Sequence, residues 1–150
     1  MVIYIGGDHR GFALKEKLKA FVSNMGYEIM DVGAEQPIPD DDYPDYAAKV
    51  AQAVMRDPEQ SRGVIMCGSG VGVDITANRF QNVRSALGIN PDQIYAARHD
   101  DNVNILALAS DYTDEETAKK MVQVFLSTKF ASDERFARRV QKIENVTTNQ

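Results

Sequence analysis

The chain of 150 residues predicts an α/β fold, a parallel sheet covered by helices on both faces. Three observations carry that prediction. Short apolar runs of β type alternate with amphipathic helical stretches from end to end. The β-type runs are apolar on both faces, as strands sandwiched between helix layers must be. The polar and glycine-rich turns fall just after strands, where open parallel sheets bind their ligands.

Residues 2–5 form the first strand and run into the turn Gly6-Gly7-Asp8-His9-Arg10-Gly11. Phe12, Leu14, Leu18, Phe21 and Val22 recur at helical spacing, so 12–24 is a helix that stops near Gly26. Residues 27–32 make the second strand, and 33–43 a loop holding Pro37, Pro39 and the run Asp40-Asp41-Asp42. Pro44 opens a helix with Ala47, Val50, Ala51 and Val54 on one side. The third strand, 63–67, leads through Gly68-Ser69-Gly70-Val71-Gly72 into a helix reaching about Phe80. A fourth strand at 85–89, a helix at 91–98 and a fifth strand at 105–109 follow. The stretch 115–126 is a helix capped by Thr113 or Asp114, and 134–143 is a last, basic helix. Residues 145–150 are polar and expected to fray.

The chain suits one domain over 1–150, with no repeat or linker. No apolar run approaches the ~20 residues of a membrane span. The N-terminal segment lacks the basic start and long apolar stretch of a secretory signal, so a cytoplasmic location is expected. A net charge of −5 argues against nucleic acid, whose affinity rests on Lys and Arg, but not against a small anion held at a local positive site.

Cys67 is the only cysteine, which removes internal disulfides and cysteine-based zinc sites and leaves either core filler or a reactive thiol. It ends a strand and opens a turn with three glycines in five residues, which permits close backbone approach to a ligand. Free N–H groups there suit an anion or an enediolate. The turn lacks the third glycine of a dinucleotide fingerprint and the Gly-Lys-Ser/Thr of a P-loop. The two histidines, His9 and His99, both fall in expected loops beside strands, where an imidazole can hand a proton to a sugar ring oxygen. Arg135 and Arg139 share one side of the last helix and form a candidate phosphate clamp. The acidic run 40–42 reads as solvated, and no metal site is expected.

The segments IGGDHRGFALK, DYPDYA, GVIMCGSGVGVDITANRF and RFARRV, in that order, resemble the type B ribose-5-phosphate isomerases, a family that also holds galactose- and allose-6-phosphate isomerases. The resemblance implies a Rossmann-like three-layer sandwich with five parallel strands, a homodimer, with a tetramer of two such dimers as the alternative, and no cofactor. It implies Cys67 as the base that moves a proton between C1 and C2. It puts Gly68, Ser69, Gly70, Val71 and Gly72 on the anion-binding loop, with Ser69 counted among the catalytic groups. Asp8, His9 and Tyr43 fall on the sugar-binding positions. Arg135 and Arg139 fall on phosphate ligands that reach the site across the dimer interface.

Two places depart from the family pattern. The ring-opening histidine stands in a His-Asn-Asp-x-Asn segment; here the chain reads His99-Asp100-Asp101-Asn102-Val103-Asn104. Alignment without a gap puts Asp100 at the histidine position, and alignment on His99 needs one insertion; Asp100 or Asp101 then takes the place of Asn. After the fifth strand some members carry an arginine on the phosphate, where this chain has Asp111. Either Asp111 weakens the phosphate site, or another cation such as Arg10 replaces the lost one. The expected activity is isomerisation of a phosphorylated sugar in the pentose phosphate pathway, ribose 5-phosphate to ribulose 5-phosphate through a cis-enediolate. The alternatives are a hexose 6-phosphate isomerase and a non-catalytic sugar-phosphate or nucleotide sensor.

Overall fold

The structure, a computed structural model, describes residues 1–146. Five strands form one parallel sheet: β1 (Val2–Gly7), β2 (Glu28–Asp31), β3 (Ser61–Cys67), β4 (Ser85–Leu87) and β5 (Ile105–Ala109), in the order β2-β1-β3-β5-β4. Six helices connect or follow them: α1 (Phe12–Asn24), α2 (Tyr43–Arg56), α3 (Val71–Ala77), α4 (Pro91–Asp101), α5 (Glu115–Ser127) and α6 (Glu134–Val146). The Rossmann-like three-layer arrangement is as expected. No helix among the described residues is long and apolar enough to cross a membrane.

The central strands separate two apolar layers. Val64 and Met66 of β3, with Leu106 and Leu108 of β5, pack under α1, α4 and α5 against Leu18, Ile94, Met121 and Phe125. Ile65 and Cys67, with Ile105 and Ala107, face α2 and α3 against Val50, Ala51, Val73 and Ala77. Every one of these side chains is at most 4% exposed, so both faces of β3 and β5 are dry. That is the physical basis of their unbroken apolar sequence.

Boundaries differ from expectation where local chemistry overrides pattern. β1 runs two residues further, because Gly6 and Gly7 stay paired with Ile65 and Met66. β2 is shorter, and β4 ends at Leu87. α3 stops at Ala77, with Asn78 as its C-cap, rather than near Phe80. α4 starts on Pro91 with Asn90 accepting from the Gln93 amide, and ends only where Asn102 turns left-handed at φ 51°. His99, Asp100 and Asp101 therefore lie in the last turn of a helix and not in a loop. Asn145 and Val146 belong to α6 rather than to a frayed tail, and 147–150 lie outside the described residues.

Two buried cations were not legible in the pattern. Lys15, fully buried, donates to Asp31 at 2.5 Å and to the Ala34 carbonyl at 2.9 Å. Arg98, 3% exposed, donates to Asn102 Oδ1 at 3.0 Å and to the Val103 carbonyl, fixing the joint between α4 and β5. Burial, then the neighbouring charges of Arg62 and Arg84, push its pKa down to about 10.

Candidate active site

β1 and β3 are neighbours whose chains leave toward opposite sides of the sheet, β1 to β2 and β3 through α3 to β4 and β5. Such a switch point opens a crevice beyond the strand ends. A cavity of about 680 Å³ lies there, lined by Asp8, His9, Tyr43, Cys67, Gly68, Ser69, Val71 and Gly72 together with Arg10, Asp40–Asp42, Ile75, Asp111 and Tyr112. All the sugar-side residues named from sequence are thus brought together, apart from Gly70, which sits beneath the wall.

Cys67 is the last residue of β3 and 4% exposed. The chain then turns through Gly70, at φ 73°, where a Cβ would stand 2.9–3.0 Å from the backbone of Leu108 and Ala109. Only glycine fits that left-handed turn. The turn leaves the amides of Ser69, Gly70 and Gly72 without a hydrogen-bond acceptor among the described residues, and the Val71 amide reaches Ser69 Oγ only at 3.4 Å. These donors sit beside the thiol. Because α3 has just seven residues, they act as individual amides more than as the end of a long helix dipole.

Asp8, 3% exposed, accepts from the Arg10 amide at 3.1 Å and the Gly11 amide at 2.9 Å, which shapes the entry to α1. Asp41 takes both the His9 amide at 2.9 Å and the His9 Nδ1 at 2.6 Å on one oxygen. This hydrogen bond raises the His9 pKa above its ordinary value, aided by the charges of Asp8, Asp41 and Asp40 against some desolvation. Burial pushes the Asp41 carboxyl up, but the His9 amide and imidazole and the Tyr46 phenol outweigh it and keep Asp41 below the usual carboxylate range. The acidic run is therefore not simply solvated: the Asp41 side chain is 7% exposed and engaged. The contact spans 32 residues of sequence, so no local signal could reveal it. Asp8, His9 and Asp41 bring three potential ligand atoms within 4.8 Å of one another, the only such trio among the described residues. His9 and Asp41 are hydrogen-bonded to each other, and Asp8 is held by the Arg10 and Gly11 amides.

His99, Asp100, Asp101, Arg135 and Arg139 lie elsewhere. His99 stacks on Tyr95 with ring centroids 5.4 Å apart and meets the edge of Phe136 at 5.6 Å. Its Nδ1 is 2.6 Å from Asp100. Arg135 and Arg139 bracket Phe136, at 4.6 and 5.9 Å from its ring. His99, Arg135 and Phe136 line a separate hollow with Lys129, and Asp101 faces a third one between β4 and α6. Cys67 pairs with Ala109 at one end of β5, while α4 enters β5 at Ile105, the other end. The length of that strand, roughly 16 Å, separates the two clusters within one chain.

Residues 3–143 match the model of the Ribose/Galactose Isomerase family. The ribose-5-phosphate isomerase B of Escherichia coli is 34% identical over 148 residues, covering 97% of this chain and 93% of that protein. The crystal structure of ribose-5-phosphate isomerase B from Mycoplasma genitalium with bound ribulose-5-phosphate superposes with a TM-score of 0.95 at 32% identity, over 99% of this chain and 97% of the other. A ribose 5-phosphate isomerase from Thermotoga maritima does so with a TM-score of 0.90 at 40% identity, over 96% and 97%.

Proposed function

The chain belongs to the ribose/galactose isomerase family, and from that premise we propose that it interconverts ribose 5-phosphate and ribulose 5-phosphate, as a cytoplasmic aldose–ketose isomerase of the pentose phosphate pathway. The observation that carries the reading is a lone thiol at a strand end beside three uncommitted amides, in the switch-point crevice.

The open-chain aldose lies with its carbonyl over the amides of Ser69, Gly70 and Gly72. The Cys67 thiolate takes the C2 proton, the electron pair forms the C1–C2 double bond, and the carbonyl oxygen becomes an oxyanion held by those amides and the Ser69 hydroxyl. Each such donor contributes about 3–4 kcal/mol in comparable sites. The hydroxyl proton passes from O2 to O1, Cys67 returns its proton to C1, and C2 becomes the ketone. Asp8, His9 and Tyr43 hold the sugar. His99, Arg135 and Arg139 serve the site from a second copy of the chain, because the sheet keeps them away from Cys67 of their own copy. His99 then opens the sugar ring, and Asp100, its hydrogen-bonded neighbour, orients it.

The test is Cys67→Ala on ribose 5-phosphate. A general base contributes ~10²–10⁴-fold, so kcat should fall by that factor with the circular dichroism spectrum unchanged. Wild-type kcat in Cys67→Ala would remove the mechanism. Tight binding of ribose 5-phosphate by the wild type with no turnover would favour the sensor instead.

A further inference from the structure

The ion pair of Arg10 and Asp111 lies inside the crevice but has no part in the proton transfer. Arg10 follows β1 and Asp111 follows β5, and they meet above Gly68, which follows β3. A Cβ on Gly68 would stand 2.7 Å from Cζ and Nε of Arg10 and 2.8 Å from Asp111 Oδ2. The guanidinium thus rests on the very turn that begins at Cys67.

Both partners are anchored by their backbones. The Asp111 amide donates to the Gly68 carbonyl at 3.0 Å, and the Arg10 amide donates to Asp8 at 3.1 Å. Asp111 engages only Nη2, so Nε and Nη1 of Arg10 have no acceptor among the described residues. A guanidinium offers five N–H donors in a planar fork suited to phosphate, and most of this fork is free. The other charged groups around the cavity are Asp8, Asp40, Asp41, Asp42 and His9. His9 has its Nδ1 committed to Asp41. Among the described residues, Arg10 is the only Lys or Arg side chain lining this crevice.

We propose that Arg10 binds the phosphate of the sugar substrate and that Asp111 is its positioning residue, holding the guanidinium over Gly68. The inference rests on the isomerase reading and names a phosphate ligand for it within the chain that carries Cys67. The competing view is a bystander ion pair, since the side chains are 58% and 34% exposed and such surface pairs contribute little.

Four proteins decide between them: wild type, Arg10→Ala, Asp111→Ala and the double variant. Each is assayed with ribose 5-phosphate and, separately, titrated with inorganic phosphate by calorimetry. Arg10→Ala should raise KM about tenfold or more and weaken phosphate binding in proportion. The loss should fall on KM more than on kcat, because the phosphate is remote from the reacting carbons. Asp111→Ala should weaken phosphate binding when Arg10 is present, by releasing the guanidinium. It should strengthen binding in the Arg10→Ala background, by removing a bare carboxylate. That reversal of sign is the signature of positioning. Tighter binding in both backgrounds would overturn the role of Asp111, and wild-type KM and phosphate affinity in Arg10→Ala would overturn the proposal. If the wild type turns over no phosphorylated aldose while phosphate binding still follows Arg10, the isomerase reading fails and the phosphate site stands.

Discussion

The crevice around Cys67 and the stack around His99 are built from opposite materials. The crevice is made of strand ends, glycine turns and carboxylates: Asp8, Asp40, Asp41, Asp42 and Asp111 stand against Arg10 and His9. The stack is made of helix surface, with Tyr95, His99 and Phe136 in ring contact and Arg135 and Arg139 over Phe136. One region has the thiol of Cys67 and the uncommitted amides, with Arg10 as its one Lys or Arg among the described residues. The other has cations, Lys129 beside them, and no proton-transfer group next to an oxyanion site. Complementary potentials of this kind favour face-to-face association. The difference teaches that one chain keeps its thiol and its paired arginines a strand length apart, the separation that the dimer proposed above would bridge.

The largest effect expected from that comparison is rescue. Cys67→Ala spoils the crevice and Arg139→Ala spoils the stack. When both chains are co-expressed and the hybrid isolated by two tags, one of its two sites has both regions intact. A charge-assisted hydrogen bond contributes about 1.5–3 kcal/mol, so at ribose 5-phosphate below KM the hybrid should exceed either parent by roughly tenfold or more. A hybrid no more active than its parents would put Arg139 outside the crevice of its neighbour.

A smaller effect separates the rigidity of the two regions. A Cβ on Gly72 would meet the Tyr43 ring at 2.4–2.8 Å. Tyr43 begins α2 and is 38% exposed, so its ring can swing into solvent at little cost in stability. Gly72→Ala should therefore lower kcat/KM by about tenfold, through a displaced pocket wall, while the urea midpoint barely moves. Arg138→Ala, on α6 and exposed, is the control and should change neither. An unfolded Gly72→Ala would show that the turn is structural first.

What the sequence revealed follows the range of each interaction. The helix 12–24 and the strand 105–109 were read with their observed ends, because apolar spacing and breakers are local signals. The Cys67 turn was legible because a strand, a thiol and glycines are contiguous. His99 lies in a helix and not in the expected loop because α4 runs on to Asn102, whose carbonyl accepts from Arg84 Nε, 18 residues away in sequence. Asp41 is engaged and not simply solvated, but its partner His9 lies 32 residues away, and the Arg10–Asp111 pair spans 101 residues, ranges that no local signal reaches. Motifs located the chemistry, and contacts between distant loops set its charge.

The smallest effect concerns how the crevice is supported. Lys15, with no exposed surface, ties Asp31 and the Ala34 carbonyl together at the start of the segment that carries Asp41 and Tyr43. Desolvation pushes the Asp31 carboxyl up, but Lys15, Lys19 and the Gly33 amide outweigh it and hold it below its ordinary value of 3.8. A carboxylate with a depressed folded pKa contributes stability that is present above the unfolded pKa and lost as pH falls through the folded one. The chain should therefore lose stability to acid below about pH 4. Lys15→Met keeps the apolar stem and leaves Asp31 with Lys19 at 2.7 Å but strips the buried Ala34 carbonyl of its donor, so the cost at pH 7 should be about 1–3 kcal/mol by urea titration. With less depression of Asp31, the acid loss should be smaller and should be complete at a higher pH. The change should also be local. Amide exchange at Ala34, bonded to the Gly7 carbonyl, should quicken, while exchange at Ala131, bonded to the His99 carbonyl, should not. Equal quickening at both amides would mean that the two regions open as one cooperative unit, and that the crevice has no separate support.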